Sequence, residues 1–271
     1  MQSDTEHRRE RAYRFDLMIA TDWCERFDAV LAEHVKMPKK GRLLEINCGT
    51  GSAAIALAAT LDEGEVVGTD EDPDRIAIAQ SKAGVASTSN TFLVANPEQL
   101  DFENDAFDGV ILDASLVDPD RLGAMAAEAV RVARDGAPIA VKVALRGTFD
   151  EFYSLYWEAL HDIGLDDTVW ASLEGLMSRR PTVHEALDTI RASGIKSAFP
   201  HRSREEWRFA TAREFLTAPL VSDLFLAEWV GILPEDRQAD VMRTVASIID
   251  REIDGHYFDV SASAVVFAGH K

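Results

Sequence analysis

A short apolar run that breaks into glycines and then into alanines constrains this chain more than any other feature. Arg42-Leu43-Leu44-Glu45-Ile46-Asn47 reads as a buried strand, Cys48-Gly49-Thr50-Gly51 as a tight turn, and the alanine-rich stretch 52–61 as a helix. A strand that leaves through a turn into a helix is the first half of a parallel crossover, because a parallel neighbour can be reached only by returning across the sheet. The alternation continues. Glu65-Val66-Val67-Gly68-Thr69-Asp70 is a second strand, and Asp72 with Pro73 supplies an N-cap and a first helical residue for the next helix. Strands follow at 91–95, 107–112 and 138–143, with a helix over 119–133 between the last two. Strand and helix in strict turn predict an α/β fold with a doubly wound, mainly parallel sheet.

The flanks read differently. Residues 8–36 carry Tyr13, Phe15, Leu17, Met18, Trp23, Phe27, Val30 and Leu31 at helical spacing, and Pro38-Lys39-Lys40-Gly41 ends that segment. Beyond the fifth strand, 148–178 is helical and rich in aromatics. Thr182 and Glu185 form a capping box for a helix over 183–193 that Gly194 stops, and a strand is expected near 195–199. Residues 211–254 read as mostly helical and 261–270 as a closing strand. No linker composition separates these parts. The expectation is one domain over 1–271: an N-terminal helical segment (1–38), a binding core (41–145), a helical lid insertion (146–180), and the C-terminal half of the sheet with helical additions (181–271).

Charge narrows the partners. With 47 acidic against 28 basic residues the formal net charge is -19, which repels nucleic-acid backbones and anionic lipid. Cys24 and Cys48 show no metal-ligand spacing, so no metal is expected. The first ten residues lack the apolar core of a signal peptide, and the longest apolar run, 53–59, is too short to span a bilayer. A soluble, cytoplasmic setting with a small-molecule substrate follows as the expectation.

Gly49-Thr50-Gly51-Ser52-Ala53-Ala54 satisfies the loose dinucleotide pattern G-x-G-x-x-A. Alone it admits a nicotinamide cofactor, another polar ligand, or a turn that holds nothing. Glu45, inside the strand and four residues before Gly49, favours a ligand that is positive at that end. S-adenosylmethionine carries an ammonium and a sulfonium, whereas a pyrophosphate would be repelled. Asp70 ends the second strand, where a carboxylate can accept ribose hydroxyls of either cofactor. No Tyr-x-x-x-Lys pair is present.

With these residues in place the chain resembles the class I S-adenosylmethionine-dependent methyltransferases, in particular the small-molecule branch that includes ubiquinone and menaquinone C-methyltransferases. The likeness rests on Leu43-Leu44-Glu45-Ile46-Asn47-Cys48-Gly49-Thr50-Gly51, Val66-Val67-Gly68-Thr69-Asp70-Glu71-Asp72-Pro73, Ala95-Asn96-Pro97-Glu98-Gln99-Leu100-Asp101-Phe102, Phe107-Asp108-Gly109-Val110-Ile111, and Ala129-Val130-Arg131-Val132-Ala133-Arg134-Asp135-Gly136. It covers residues 40 to 145 and implies a seven-stranded sheet with a helical lid. It implies that Glu45 holds the methionine ammonium and that Asn47, Cys48, Gly49 and Gly51 line methionine and ribose. Asp70 would take the ribose hydroxyls, Glu71 would lie beside adenine, Asn96 would meet the adenine amino group, and Pro97 occupies a position that usually faces adenine. Asp113 and Ala114 would border the reactive methyl.

The chain departs from the family pattern at Asn47, which replaces a glycine, at Asn96, which replaces an aspartate, at Pro97, which has no N–H to donate, and at Asp135-Gly136-Ala137. These departures support an alternative, a methyltransferase-fold protein with a binding, regulatory or non-methyl role; a nicotinamide oxidoreductase is a third reading. Methyl transfer from a sulfonium needs orientation and a dry pocket more than a fixed catalytic motif. Asp113, Tyr153, Tyr156 and His161 are candidate bases, with His184, His201 and His256 as further ones. No Asn-Pro-Pro-Tyr, Asp-Pro-Pro-Tyr or Pro-Cys occurs, against methylation of nucleic-acid bases. Phe149, Phe152, Tyr153, Tyr156, Trp157 and Leu160 share one helical face, which predicts either a roof over an apolar or aromatic acceptor, extended by Trp207, Phe209, Phe215, Phe225 and Trp229, or ordinary packing or a homodimer contact.

Overall fold

In a computed structural model, residues 2–253 and 255–271 are described. The chain opens with α1 (Gln2–Arg14), a π-helical stretch (Phe15–Cys24) and α2 (Glu25–His34), so the single helix expected over 8–36 is wound more widely in its middle third. Then come β1 (Lys40–Ile46), α3 (Ser52–Ala58), β2 (Glu63–Asp70), α4 (Pro73–Ala86), β3 (Asn90–Val94), β4 (Gly109–Asp113), a 3-10 turn (Pro119–Arg121), α5 (Leu122–Val132) and β5 (Pro138–Ala144). The Asp72 carboxylate accepts from the N–H groups of Asp74 (2.8 Å) and Arg75 (3.3 Å), as its place before Pro73 requires.

The remaining elements are α6 (Asp150–Asp162), α7 (Asp166–Arg179), α8 (Val183–Ala192), β6 (Lys196–Phe209), α9 (Ala212–Thr217), α10 (Pro219–Leu224), α11 (Leu226–Gly231), α12 (Gln238–Ile253) and β7 (Phe258–His270). The helix read over 148–178 is two helices, broken where Gly164 takes φ +67°. The strand read at 195–199 runs on to Phe209, because most side chains beyond Ile195 are polar and hide the continuation from an apolar count. Thr182 and Glu185 complete their capping box on both sides.

The sheet has seven strands in the order β3-β2-β1-β4-β5-β7-β6. β1 pairs parallel with β2 and β4, β2 with β3, and β4 with β5, while β7 runs antiparallel to β5. The chain therefore reverses its direction of travel across the sheet between β1 and β4. Loops leaving the carboxyl ends of these two strands diverge and open a crevice, where open α/β sheets bind ligands. β4 is buried along its whole length, and the ends of β1 and β2 are buried as well, which fixes the rear of that crevice. Among the described residues, no helix is long and apolar enough to cross a membrane.

Contacts divide the chain into two compact units. The first comprises residues 1–144, 182–203 and 264–271; the second comprises 145–181 and 204–263. The second unit thus joins the 146–180 segment to residues from the C-terminal region. Its core is aromatic: Phe152 stacks on Trp229 at 4.0 Å, Phe149 meets Phe225 edge-on at 5.0 Å, and Phe215 packs against Phe152 at 5.3 Å. The Tyr156 hydroxyl donates to the Trp229 carbonyl (2.6 Å), and Trp229 Nε1 donates to the Tyr153 hydroxyl (3.1 Å). This aromatic face packs within its own unit, which satisfies both the apolar rings and their polar tips.

Candidate active site

The first unit holds a cavity of about 320 Å³ at the carboxyl ends of β1, β2, β4 and β5, closed on one side by the π-helical stretch and α2. The turn after β1 shapes it. Asn47 has φ +59°, in the left-handed region that asparagine enters more readily than most residues, which explains why it can stand where a glycine is usual. Its Nδ2 donates to the Asp113 carbonyl (2.9 Å) and so ties the turn to the end of β4. Gly51 has φ +79°, and a Cβ there would come within 2.7 Å of Phe92 Cζ and 2.8 Å of Ala79 Cβ. Only glycine suits that position on both counts.

Asp70, at the end of β2, orders the same turn. One carboxylate oxygen accepts from Gly49 N–H (2.9 Å) and the other from Asp72 N–H (3.0 Å). Burial pushes its pKa up, against the pull of Arg75 and of those two N–H groups. Each oxygen keeps a second lone pair for a hydroxyl. Glu71 lies on the cavity wall, but its carboxylate grips Arg121 through two bonds of 2.9 and 3.1 Å, and Glu98 holds the same guanidinium. These hydrogen bonds raise the Arg121 pKa further. Burial pushes the Cys48 thiol up and leaves it a neutral wall residue.

The floor is a charged cluster around Lys142, in the middle of β5. Lys142 is 1% exposed. Its Nζ pairs closely with Asp28 of α2 and lies 3.4 Å from Glu45 Oε1 and 3.5 Å from Asp113 Oδ2. Burial alone would drive off its proton, but the carboxylates of Asp28, Asp113 and Glu45 outweigh that and hold the amine charged. Asp28 is pushed up by burial, against Lys142. Glu45 is also pushed up by burial, to about 7, with Lys142 opposing and Asp28 and Asp113 adding to the rise. Asp113 accepts from Ser115 N–H (3.0 Å) and from the Ser115 hydroxyl (2.6 Å), which in turn accepts from Trp23 Nε1 (3.0 Å). Three buried polar atoms of described wall residues have no hydrogen-bond partner: Glu45 Oε2, Thr50 Oγ1 and Arg75 Nε. A buried carboxylate oxygen without a donor is costly, and its place in a cavity wall marks a position for a bound donor.

Of the residues anticipated from sequence, Glu45, Asn47, Cys48, Gly49, Asp70, Glu71 and Asp113 meet at this cavity. Four anticipated contacts lie outside its walls. Gly51 turns its open side to Phe92 and Ala79. Ala114 is buried behind the wall, its N–H donating to the Lys142 carbonyl. Asn96 is exposed and spends its side-chain oxygen on Glu98 N–H (2.9 Å) in a tight turn that also buries Pro97. Tyr153 and Tyr156 belong to the second unit's core, where burial raises both phenols, and His161 is exposed on α6. His184 is exposed beside Asp188, and His201 stacks on His34 at 4.6 Å.

Sequence reading missed Lys142, Asp28 and Arg121. The signal for Lys142 was present, since a lysine inside Ile139-Ala140-Val141-Lys142-Val143 cannot be buried without partners. What the sequence did not reveal was which carboxylates those partners are.

Residues 43–136 match the family described as methyltransferase domain. A demethylmenaquinone methyltransferase of Thermus thermophilus is 36% identical over 108 residues, which is 38% of this chain and 48% of that protein. An O-methyltransferase of Aspergillus nomiae is 29% identical over 119 residues, 43% of this chain and 52% of that protein. The chain spans about half the length of the curated relatives it matches. The solved structure of the YcgJ protein of Bacillus subtilis superposes with a TM-score of 0.58 at 15% identity, covering 91% of this chain and 98% of that one, a likeness of fold. Residues 43–136, with the Gly49–Gly51 turn and Asp70, thus match a methyltransferase domain and are similar to that part of the demethylmenaquinone methyltransferase.

Proposed function

We propose that this protein binds S-adenosylmethionine in the cavity between β1 and β4 and transfers its methyl group to a small-molecule acceptor. The observation that carries the reading is Glu45: a buried carboxylate on the cavity floor with one oxygen, Oε2, left without a donor. The charge of the walls agrees, since eight carboxylates and three cationic side chains line the cavity. Such a wall suits a ligand with an ammonium and a sulfonium and repels a pyrophosphate, which disfavours the nicotinamide reading.

When bound, the cofactor supplies a methyl group already activated by the sulfonium. The protein's part is to bind, orient and exclude water. Glu45 would hold the ammonium and Asp70 the ribose hydroxyls. Gly49 and the Asn47 side chain keep the turn close to the ligand, and Phe15, Ala20, Leu116 and Val117 supply an apolar wall. That wall is what supports an apolar or aromatic acceptor. The aromatic face of α6 no longer does, because its rings pack into the second unit's own core. Asp28 and Asp113, both in the cavity walls, stand as candidate bases.

The alternative, a fold kept for binding without transfer, draws on Glu71, whose carboxylate Arg121 already occupies. Calorimetric titration with S-adenosylmethionine, S-adenosylhomocysteine and NAD separates the readings. Heat with the first two and none with NAD is expected. Binding with no methyl transfer across a broad panel of small acceptors supports the alternative, and no heat with either sulfur ligand ends the leading reading.

A further inference from the structure

Lys142 places a resident ammonium where a methionine-type ligand would bring its own. Its Nζ lies 3.4 Å from Glu45 Oε1, 3.5 Å from Asp113 Oδ2 and closest to Asp28. The cluster holds three carboxylates against one cation, all on the cavity wall. Glu45 is divided: Oε1 faces Lys142, and Oε2 is buried with no donor. One cation therefore leaves this cluster short of positive charge and short of one donor, and a second ammonium supplies both.

We propose that Lys142 is a positioning residue for the cofactor's amino-acid end: it shares the Glu45 carboxylate with the incoming ammonium, and Asp28 sets how strongly Lys142 is drawn away from that task. The proposal rests on the reading that the cavity holds S-adenosylmethionine. Its consequence is a linked protonation. An ammonium binds ionised Glu45, and Glu45 in the folded protein loses its proton only at about pH 7, because burial pushes it up while Lys142 pulls it down and Asp28 and Asp113 push it up again. The other groups facing the cluster are Cys24 from the π-helical stretch, Cys48 from the turn, Asp70 from β2 and Arg75 from α4. Burial keeps both thiols neutral, so they add no charge in this range.

The sign of each perturbation follows. Below about pH 7, affinity for a ligand with an ammonium should fall by about tenfold per pH unit, with one proton released on binding. Lys142→Met removes the pull that lowers Glu45, so the midpoint moves up and affinity at pH 7 drops. Asp28→Asn removes a push that raises Glu45 and a rival for Lys142, so the midpoint moves down. A residue that merely supports the fold would change affinity at every pH alike.

The experiment is calorimetric titration of the full chain with S-adenosylhomocysteine from pH 5.5 to 8.5, for the wild type and both variants, with circular dichroism to establish that each is folded. 5′-Methylthioadenosine, which has the adenosine and the sulfur but no ammonium, is the control, and its affinity should be flat over this range. Opposite shifts of the two midpoints, with the control flat, are the expected result. Asp28→Asn alone carries the test if Lys142→Met does not fold. Midpoints that coincide with the wild type overturn the proposal while leaving cofactor binding intact. Failure of the wild type to bind S-adenosylhomocysteine or S-adenosylmethionine at any pH overturns the reading of the cavity itself.

Discussion

Replacing Glu45 by glutamine should stabilise the cofactor-free protein at high pH and leave it almost unchanged at low pH. Glu45 ionises near 4.5 when solvated and at about 7 in the folded cavity. A carboxylate whose folded pKa is raised holds its proton more tightly in the native state. It therefore contributes stability in full below about pH 4.5, and that contribution is lost as pH rises through 7. The difference of about 2.5 units corresponds to about 3 kcal/mol, at ~1.4 kcal/mol per unit. Glutamine is a neutral isostere of the protonated acid and has nothing to lose over this range. The two proteins should match below about pH 4, differ by about 1 kcal/mol near pH 5 and by up to about 3 kcal/mol at pH 8, the variant being the more stable. Because the chain has two compact units, the transition is best read locally, by urea titration with hydrogen-exchange mass spectrometry of peptides from β1 and β4, corrected for intrinsic exchange. Parallel stability curves for the two proteins between pH 5 and 8 would refute the reasoning. The same stored cost has a functional meaning: an ammonium that binds Glu45 relieves it, so the native site is unstable in the way that favours its ligand.

Substitutions at three further positions probe the turn and one helix cap. Gly51→Ala should cost ~2–4 kcal/mol, from a Cβ at positive φ set against Phe92 and Ala79, and should weaken S-adenosylhomocysteine binding in the same calorimetric assay. Asn47→Gly keeps the turn's conformation and loses the side-chain bonds to the Asp113 carbonyl and Met125 Sδ, about 1 kcal/mol, whereas Asn47→Ala adds left-handed strain and should cost ~2–3 kcal/mol; equal losses in urea titration would show that φ at this position does not matter. Thr182→Ala removes one side of the α8 capping box and should cost about 1 kcal/mol, read as faster hydrogen exchange in the first turn of α8, with no effect on cofactor affinity.

Much of the binding core was legible because its signals are local. A strand running into Gly49-Thr50-Gly51, an Asp72-Pro73 start and a Thr182–Glu185 box are decided by residues a few positions apart, and the structure forms each of them. Asn47 belongs with these, since its tolerance of the left-handed region is a property of the residue itself. Asn96 and Pro97 were placed at the ligand by likeness alone, and the local turn that closes on Glu98 sets them outside the cavity walls. The aromatic face of α6 was legible as a face but not as a destination: helical spacing says which side is buried, not whether a ligand or Trp229 covers it.

The sequence by itself determined the class of fold, the glycine turn and the carboxylates Glu45 and Asp70 beside it, because strand, turn and helix preferences act between near neighbours. Only the tertiary structure decided what those carboxylates face. Lys142 meets Asp28 across 114 residues, Glu45 across 97 and Asp113 across 29, and Arg121 meets Glu71 across 50. No local preference encodes such pairs. They follow from the strand order, which sets β1, β4 and β5 side by side with α2 packed on β5, so that one buried lysine comes within reach of three acids.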